Sequence, residues 1–257
     1  MLLTHSPVAP IISPAPQILL ISSSTPEKLE DQSEGHRPDR YAIMLTFWRP
    51  TMPTLQGIDL TCIRGDRKLF SGVNFLLESG GLMQVQGPNG SGKTSLLRML
   101  CGLASPAEGE IRWDGTQIRS LGGDYFGAMT YLGHLGGVKD DLTAIENLRI
   151  SSALGGVDLD ERKAHDALQH MGLGGRELLP AKVLSQGQRR RVTLARLLVC
   201  GTVLWILDEP LTALDTSAVK LVQGLIERHL EHGGMIVMTT HQEIEIAGAA
   251  IQRLQLT

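Results

Sequence analysis

Leu82-Met83-Gln84-Val85-Gln86-Gly87-Pro88-Asn89-Gly90-Ser91-Gly92-Lys93-Thr94-Ser95-Leu96-Leu97-Arg98 joins a short apolar run, the pattern G-x-x-x-x-G-K-T, and a stretch of helix-forming residues. That order predicts strand, loop and helix, the setting in which such a loop binds phosphate. Gly87, Gly90 and Gly92 let the backbone turn tightly enough for consecutive N–H groups to face one anion-sized hollow. The N-terminus of the helix after them adds its partial positive charge. Lys93 then serves as a mobile cation for the outer phosphates, and the Thr94 hydroxyl as a ligand for Mg²⁺. Pro88, Asn89 and Ser91 complete the expected nucleotide-binding loop. Binding of phosphate by itself is shared by metabolite kinases, GTPases and motor ATPases.

Two further segments separate those classes. Leu184-Ser185-Gln186-Gly187-Gln188 precedes Arg189-Arg190-Arg191-Val192-Thr193-Leu194-Ala195-Arg196-Leu197-Leu198, whose apolar positions suit a half-buried helix. Ser185 three residues before Gln188 also reads as a helix start with a reciprocal cap. Downstream, Val203-Leu204-Trp205-Ile206-Leu207 is an apolar run fit for a buried parallel strand, and it stops at Asp208-Glu209-Pro210. Ligands of parallel α/β sheets lie beyond the carboxyl ends of strands, which sets both acids beside the phosphates.

The sequence L-S-x-G-Q, lying between the phosphate loop and the acidic strand end, resembles the signature of ATP-binding cassette (ABC) proteins. The resemblance covers residues 53–257 and implies an α/β P-loop NTPase fold, an ABC nucleotide-binding domain with a RecA-like core, an antiparallel β-lobe and a helical subdomain near residues 140–183. It implies that Asp208 holds Mg²⁺ and that Glu209 polarises the attacking water. Leu184 to Gln188, with Ser185 and the Gly187 N–H foremost, are then expected to meet ATP held by a second copy of the chain. Asp215, in Ala213-Leu214-Asp215, matches the D-loop at that dimer contact. His241, after Met235-Ile236-Val237-Met238-Thr239-Thr240, matches the switch-loop histidine that contacts the terminal phosphate. Two positions depart from the general pattern. Arg64 stands where an aromatic ring usually stacks on adenine, and His134 stands where the Q-loop glutamine is usual.

Finer wording narrows the resemblance to the CcmA group, the ATP-binding subunits of cytochrome c maturation, often described as haem exporters. It rests on Leu60-Thr61-Cys62, Leu69-Phe70-Ser71-Gly72, Gln84 to Gly90, Tyr131-Leu132-Gly133-His134, Leu142-Thr143-Ala144 to Leu148, and Leu254-Gln255-Leu256-Thr257. The group implies ATP and Mg²⁺ as ligands, and as partners a second copy, the membrane subunit CcmB, and CcmC and CcmD. It also implies a place on the cytoplasmic face of the inner membrane. What the complex moves stays open, and no direct haem site is expected. A metabolite kinase is the rival reading, disfavoured by the signature and by Glu209 directly after Asp208; an ABC ATPase of another exporter is a further alternative.

Bulk properties agree with this direction. With 257 residues the chain can bury a core of its own, and a net charge of −3 gives no general attraction to nucleic acid. Three Trp, three Tyr and four Phe offer few platforms for stacking bases. Cys62, Cys101 and Cys200 are widely spaced, as reduced thiols would be. No apolar run reaches the ~18 residues of a membrane-spanning helix, so separate subunits are expected to supply any membrane pathway. Residues 1–51, with Pro7, Pro10, Pro14 and Pro16 in their apolar part and mixed charge after, are expected to be a disordered extension or the product of a start placed too early; Met52 is the natural alternative start, opening a 52–257 nucleotide-binding domain. Residues 55–80 are predicted to form antiparallel strands around Gly65-Asp66, and Thr143 to open a capped helix. His229 and His232 read as favourable charge at a helix C-terminus, and His165 and His170 as residues of solvated faces.

Overall fold

A computed structural model describes residues 52–134, 136–240, 246 and 251–257. The expectations for residues 1–51 and for His241 fall outside those residues.

The described chain opens with β1 (Thr54–Arg64) and β2 (Arg67–Glu78), antiparallel about the Gly65-Asp66 turn, where Gly65 takes φ 57°. β3 (Leu82–Gln86) runs into α1 (Lys93–Leu100), followed by β4 (Glu108–Trp113), β5 (Thr116–Gln117) and the short helices α2 (Ile118–Leu121) and α3 (Gly123–Ala128). β6 (Met129–Leu132) leads to α4 (Ala144–Leu154), α5 (Glu161–His170) and α6 (Gln186–Leu194). β7 (Leu204–Asp208), α7 (Thr216–Glu231), β8 (Met235–Thr239) and β9 (Ile251–Gln255) complete the order.

Two sheets result. The antiparallel sheet has the order β2-β1-β4-β5, and the other, β6-β7-β8-β3-β9, is parallel throughout. The central strands β7 and β8 are mostly apolar and buried at every position because both faces are covered, whereas β9 at the sheet edge is largely polar. In β7, Leu204 and Ile206 join one buried cluster with α1 and the antiparallel sheet, whereas Trp205 and Leu207 join the other with α4, α5, α6 and α7. β8 divides likewise, Met235 and Val237 to the first side, Ile236 and Met238 to the second. The central strands thus tie both layers to one frame, and their carboxyl ends stay fixed relative to α1.

Between β6 and α6 the described chain is helical or looped. Thr143 caps α4 reciprocally with Glu146, and Ala164, Ala167, Leu168 and Met171 form the buried stripe of α5 and its end. Gly172, at φ 71°, then turns the chain in a conformation that favours glycine.

Two histidine expectations are corrected. His229 carries no favourable charge at the end of α7: it is buried, its ring stacks on Trp205 at 3.7 Å, and its Nε2–H donates to the Val203 carbonyl at 3.0 Å. Burial pushes its pKa down to about 4, so the ring is a neutral core group. His170 does not lie on an open face either. It is half-buried beside Arg228, and burial, then that guanidinium, lower its pKa.

Candidate nucleotide site

The loop between β3 and α1 is built around its glycines. Gly87, Gly90 and Gly92 take φ values of 147°, 81° and 99°. A Cβ on Gly87 would lie 2.6 Å from the Leu256 carbonyl and 2.7 Å from Ser91 Oγ, so this position admits no side chain without displacement. Gly92 starts α1 with no side-chain cap, leaving first-turn N–H groups directed at the loop's hollow. Lys93 folds back, its Nζ donating to the carbonyls of Gly87 at 2.8 Å and Pro88 at 3.1 Å.

Opposite the loop stands the end of β7. Asp208 is 2% exposed and accepts two hydroxyls, Thr94 at 2.9 Å on Oδ2 and Thr239 at 2.7 Å on Oδ1. Thr239 Oγ1 in turn accepts from the Glu209 N–H at 2.9 Å. Glu209 adopts φ 52°, a left-handed conformation costing a β-carbon residue on the order of 1 kcal/mol, the kind of strain that collects at functional sites. Thr94 and Asp208 present adjacent hard oxygens, the donor set Mg²⁺ uses when phosphate and water fill its other positions.

Lys93, Thr94, Asp208 and Glu209 line a cavity of about 760 Å³ together with Asn89, Gly90, Gly92, Ser95 and His134. Its outer side is formed by Arg64, Arg67 and Leu69 of the β1–β2 hairpin, with no Phe, Tyr or Trp among the described lining residues. None of Leu184, Ser185, Gln186, Gly187 and Gln188 lines it. That segment begins α6 elsewhere, with Ser185 Oγ accepting from the Gln188 N–H at 3.2 Å and the Gln188 side chain accepting from the Ser185 N–H at 2.9 Å. Gly187 packs so closely under the Ala213 carbonyl that a Cβ there would come within 2.7 Å of it. Asp215 caps α7 through the Ala218 N–H at 2.8 Å and accepts from Arg191 at 2.6 Å. His134 faces both the large cavity and a smaller adjoining one beside Gln186 and Ala213.

Several contributors escaped the sequence reading. Thr239 carries no motif of its own in the sequence; its signal is the pairing opposite Asp208, visible only once β7 and β8 are adjacent. Arg67, Leu69 and Thr212 reach the cavity from loops and strand ends. The Arg189-Arg190-Arg191 triplet of α6 divides three ways. Arg189 pairs with Asp140 at 2.6 Å, Arg191 with Asp215, and Arg190 turns inward to backbone carbonyls.

Residues 70–212 match the ABC transporter family. The chain is 64% identical over 199 residues to the cytochrome c biogenesis ATP-binding export protein CcmA of Nitrosomonas europaea, covering 77% of this chain and 93% of that one. It is 52% identical over 202 residues to the CcmA protein of Dechloromonas aromatica, covering 79% and 99%. Among solved structures, a dimeric bacterial ABC transporter cassette shares the fold with a TM-score of 0.67 at 24% identity, covering 78% of this chain and 94% of that one.

Proposed function

Since the chain belongs to the ABC transporter family and, within it, to the CcmA proteins of cytochrome c biogenesis, we infer that it is the ATP-hydrolysing subunit of a membrane complex serving the maturation of c-type cytochromes. The observation that carries this reading is the convergence of Lys93, Thr94, Asp208 and Glu209 on one cavity while the signature segment stands outside it. A phosphate loop without its own signature is half of a site, and a second copy is the source of the other half.

In that arrangement the β- and γ-phosphates of ATP take the place of the Gly87 and Pro88 carbonyls at Lys93, and the loop N–H groups bind the phosphate oxygens. Mg²⁺, held by Thr94 and Asp208, would neutralise charge between the phosphates. Glu209 orients a water whose oxygen attacks the γ-phosphorus, and the bond to the β–γ bridging oxygen breaks to leave ADP and phosphate. Ser185 and Gly187 of the second copy close over the γ-phosphate, so ATP joins two chains head to tail. Hydrolysis releases them, and the cycle is the source of mechanical work. Arg64 stacks its guanidinium on the base where an aromatic ring would otherwise serve, and His134 and His241 contact the γ-phosphate region.

No helix among the described residues is long and apolar enough to cross a membrane. Likeness to CcmA proteins, named as export proteins of cytochrome c biogenesis, supports a membrane subunit, CcmB, as the working partner, with CcmC and CcmD in the same assembly and the chain peripheral at the cytoplasmic face of the inner membrane. Glu209→Gln tests the core of this reading. It should bind ATP normally, hydrolyse it at least ~100-fold more slowly and elute as an ATP-dependent dimer in gel filtration. A variant that stays monomeric with ATP would count against the shared-site mechanism.

A further inference from the structure

Helix α6 carries a guanidinium that the chemistry just described leaves unused. Arg190 is 8% exposed, and burial lowers its pKa, opposed by the charges of Asp208 and Glu209. Its donors go to main-chain carbonyls: Nη2 to Asp208 at 2.9 Å and to Glu209 at 2.6 Å, Nε to Pro210 at 3.2 Å, and Nη1 to Gly133 at 3.2 Å. Three consecutive carbonyls therefore face one side chain. An uninterrupted strand would turn successive peptide units to opposite sides. The left-handed φ of 52° at Glu209 breaks that alternation, and Arg190 is the group the redirected carbonyls meet. The Glu209 carbonyl also accepts from the Thr212 N–H at 3.3 Å, and its N–H is held from the other side by Thr239. The fourth bond reaches the residue directly before His134. One planar fork thus connects α6, the turn carrying the hydrolytic glutamate, and the segment leading out of β6.

We propose that Arg190 is a positioning residue for hydrolysis, holding the Glu209 turn in its left-handed conformation and linking it to the Gly133–His134 segment and to the helix that begins with the signature. This rests on the reading of Glu209 as the residue that orients the attacking water. Arg190 itself touches no reacting atom. Its effect is to make the aim of the Glu209 carboxylate depend on the seating of α6, so that movement of the signature helix is felt where water is activated. A lysine cannot substitute, because a single ammonium lacks the fixed fork that spans carbonyls of two segments.

The test is a double-substitution cycle on the full chain, reading kcat and KM for ATP together with ATP affinity. Arg190→Met should lower kcat about 100-fold with KM within about threefold of wild type, and Arg190→Lys should lower kcat about tenfold. Placed on a Glu209→Gln background, either substitution should cause no further loss, since the residue through which Arg190 acts is already gone. Retention of wild-type kcat in Arg190→Lys and Arg190→Met would overturn the proposal. So would a full multiplicative loss on the Glu209→Gln background, or a fall in ATP affinity matching the fall in rate, which would make Arg190 a support of the fold alone. The lysine variant keeps the test available if the methionine variant does not fold. Equal hydrolysis by wild type and Glu209→Gln would instead remove the assigned role of the glutamate, and the proposal with it.

Discussion

Lys93 spends its ammonium group on two carbonyls of its own loop, Gly87 and Pro88. That parking keeps a half-buried cation partnered and holds the loop closed around its hollow. It also decides what Lys93→Ala should do. Losing two hydrogen bonds at a partly exposed site costs stability only about 1 kcal/mol. Losing a cation that meets charge developing on the transferred phosphoryl group costs far more in rate. We expect hydrolysis to fall by a factor of about 100 to 1,000 while the unfolding temperature changes by a few degrees at most, measured by phosphate release and calorimetry on the same preparation. Normal hydrolysis by Lys93→Ala would remove the loop from the mechanism. Asp208 is at the opposite extreme, buried and committed to Thr94 and Thr239 through separate oxygens, which fixes its rotamer in advance.

At the scale of elements, β7 and α7 meet through the stacked pair Trp205 and His229. The stack imposes a pH dependence whose sign follows from burial. In the folded chain His229 takes up a proton only near pH 4, whereas in the unfolded chain it does so near the ordinary value of about 6.5. As pH falls through that window the unfolded state binds the proton first, so stability is complete above about 6.5, declines between about 6.5 and 4, and changes no further through this residue below. The loss amounts to about 3 kcal/mol. His229→Phe, which keeps a ring against Trp205, should flatten this part of the profile in thermal unfolding followed from pH 7.5 to 4; an unchanged slope would assign it to other groups. This pair also shows what could be read in the sequence. The phosphate loop, the apolar strand ending in Asp208-Glu209 and the caps at Thr143 and Ser185 are local patterns, each written within a few residues, and they carried the fold class. His229 beside Val203, and Arg190 beside Gly133 and Asp208, are contacts across distant segments to backbone carbonyls. A carbonyl has no residue identity, so no pattern of letters announces it as a partner. The arginine triplet therefore looked uniform in sequence although each member goes to a different place.

For the whole molecule, the division between a cavity with the phosphate loop and a signature outside it predicts complementation. Ser185→Arg should leave ATP binding to a single chain intact while blocking closure on a partner. Lys93→Ala spoils the chain's own loop and leaves its signature sound. A mixed dimer then holds one doubly damaged site and one intact site, and mixing the two inactive variants should restore hydrolysis to no more than the rate of one site per dimer. Absence of any recovery would argue that both sites must be sound together. Gly187 packed beneath Ala213, with Arg191 bound to Asp215, ties the segment read as the signature to the one read as the D-loop, so in the proposed dimer both would reach the neighbour together. The bare N-terminus of α1 has a different consequence. A helix that begins on Gly92, with no side chain to satisfy its first amides, forgoes roughly a few tenths of a kcal/mol that a serine or aspartate cap would give. A polyphosphate supplies that missing cap. Nucleotide is thus linked to folding as well as to work: with free ATP at 100 times its dissociation constant, mass action adds about 2.7 kcal/mol to the stability of the chain. In a cell rich in ATP, the chain would spend most of its life as the sturdier of its two forms.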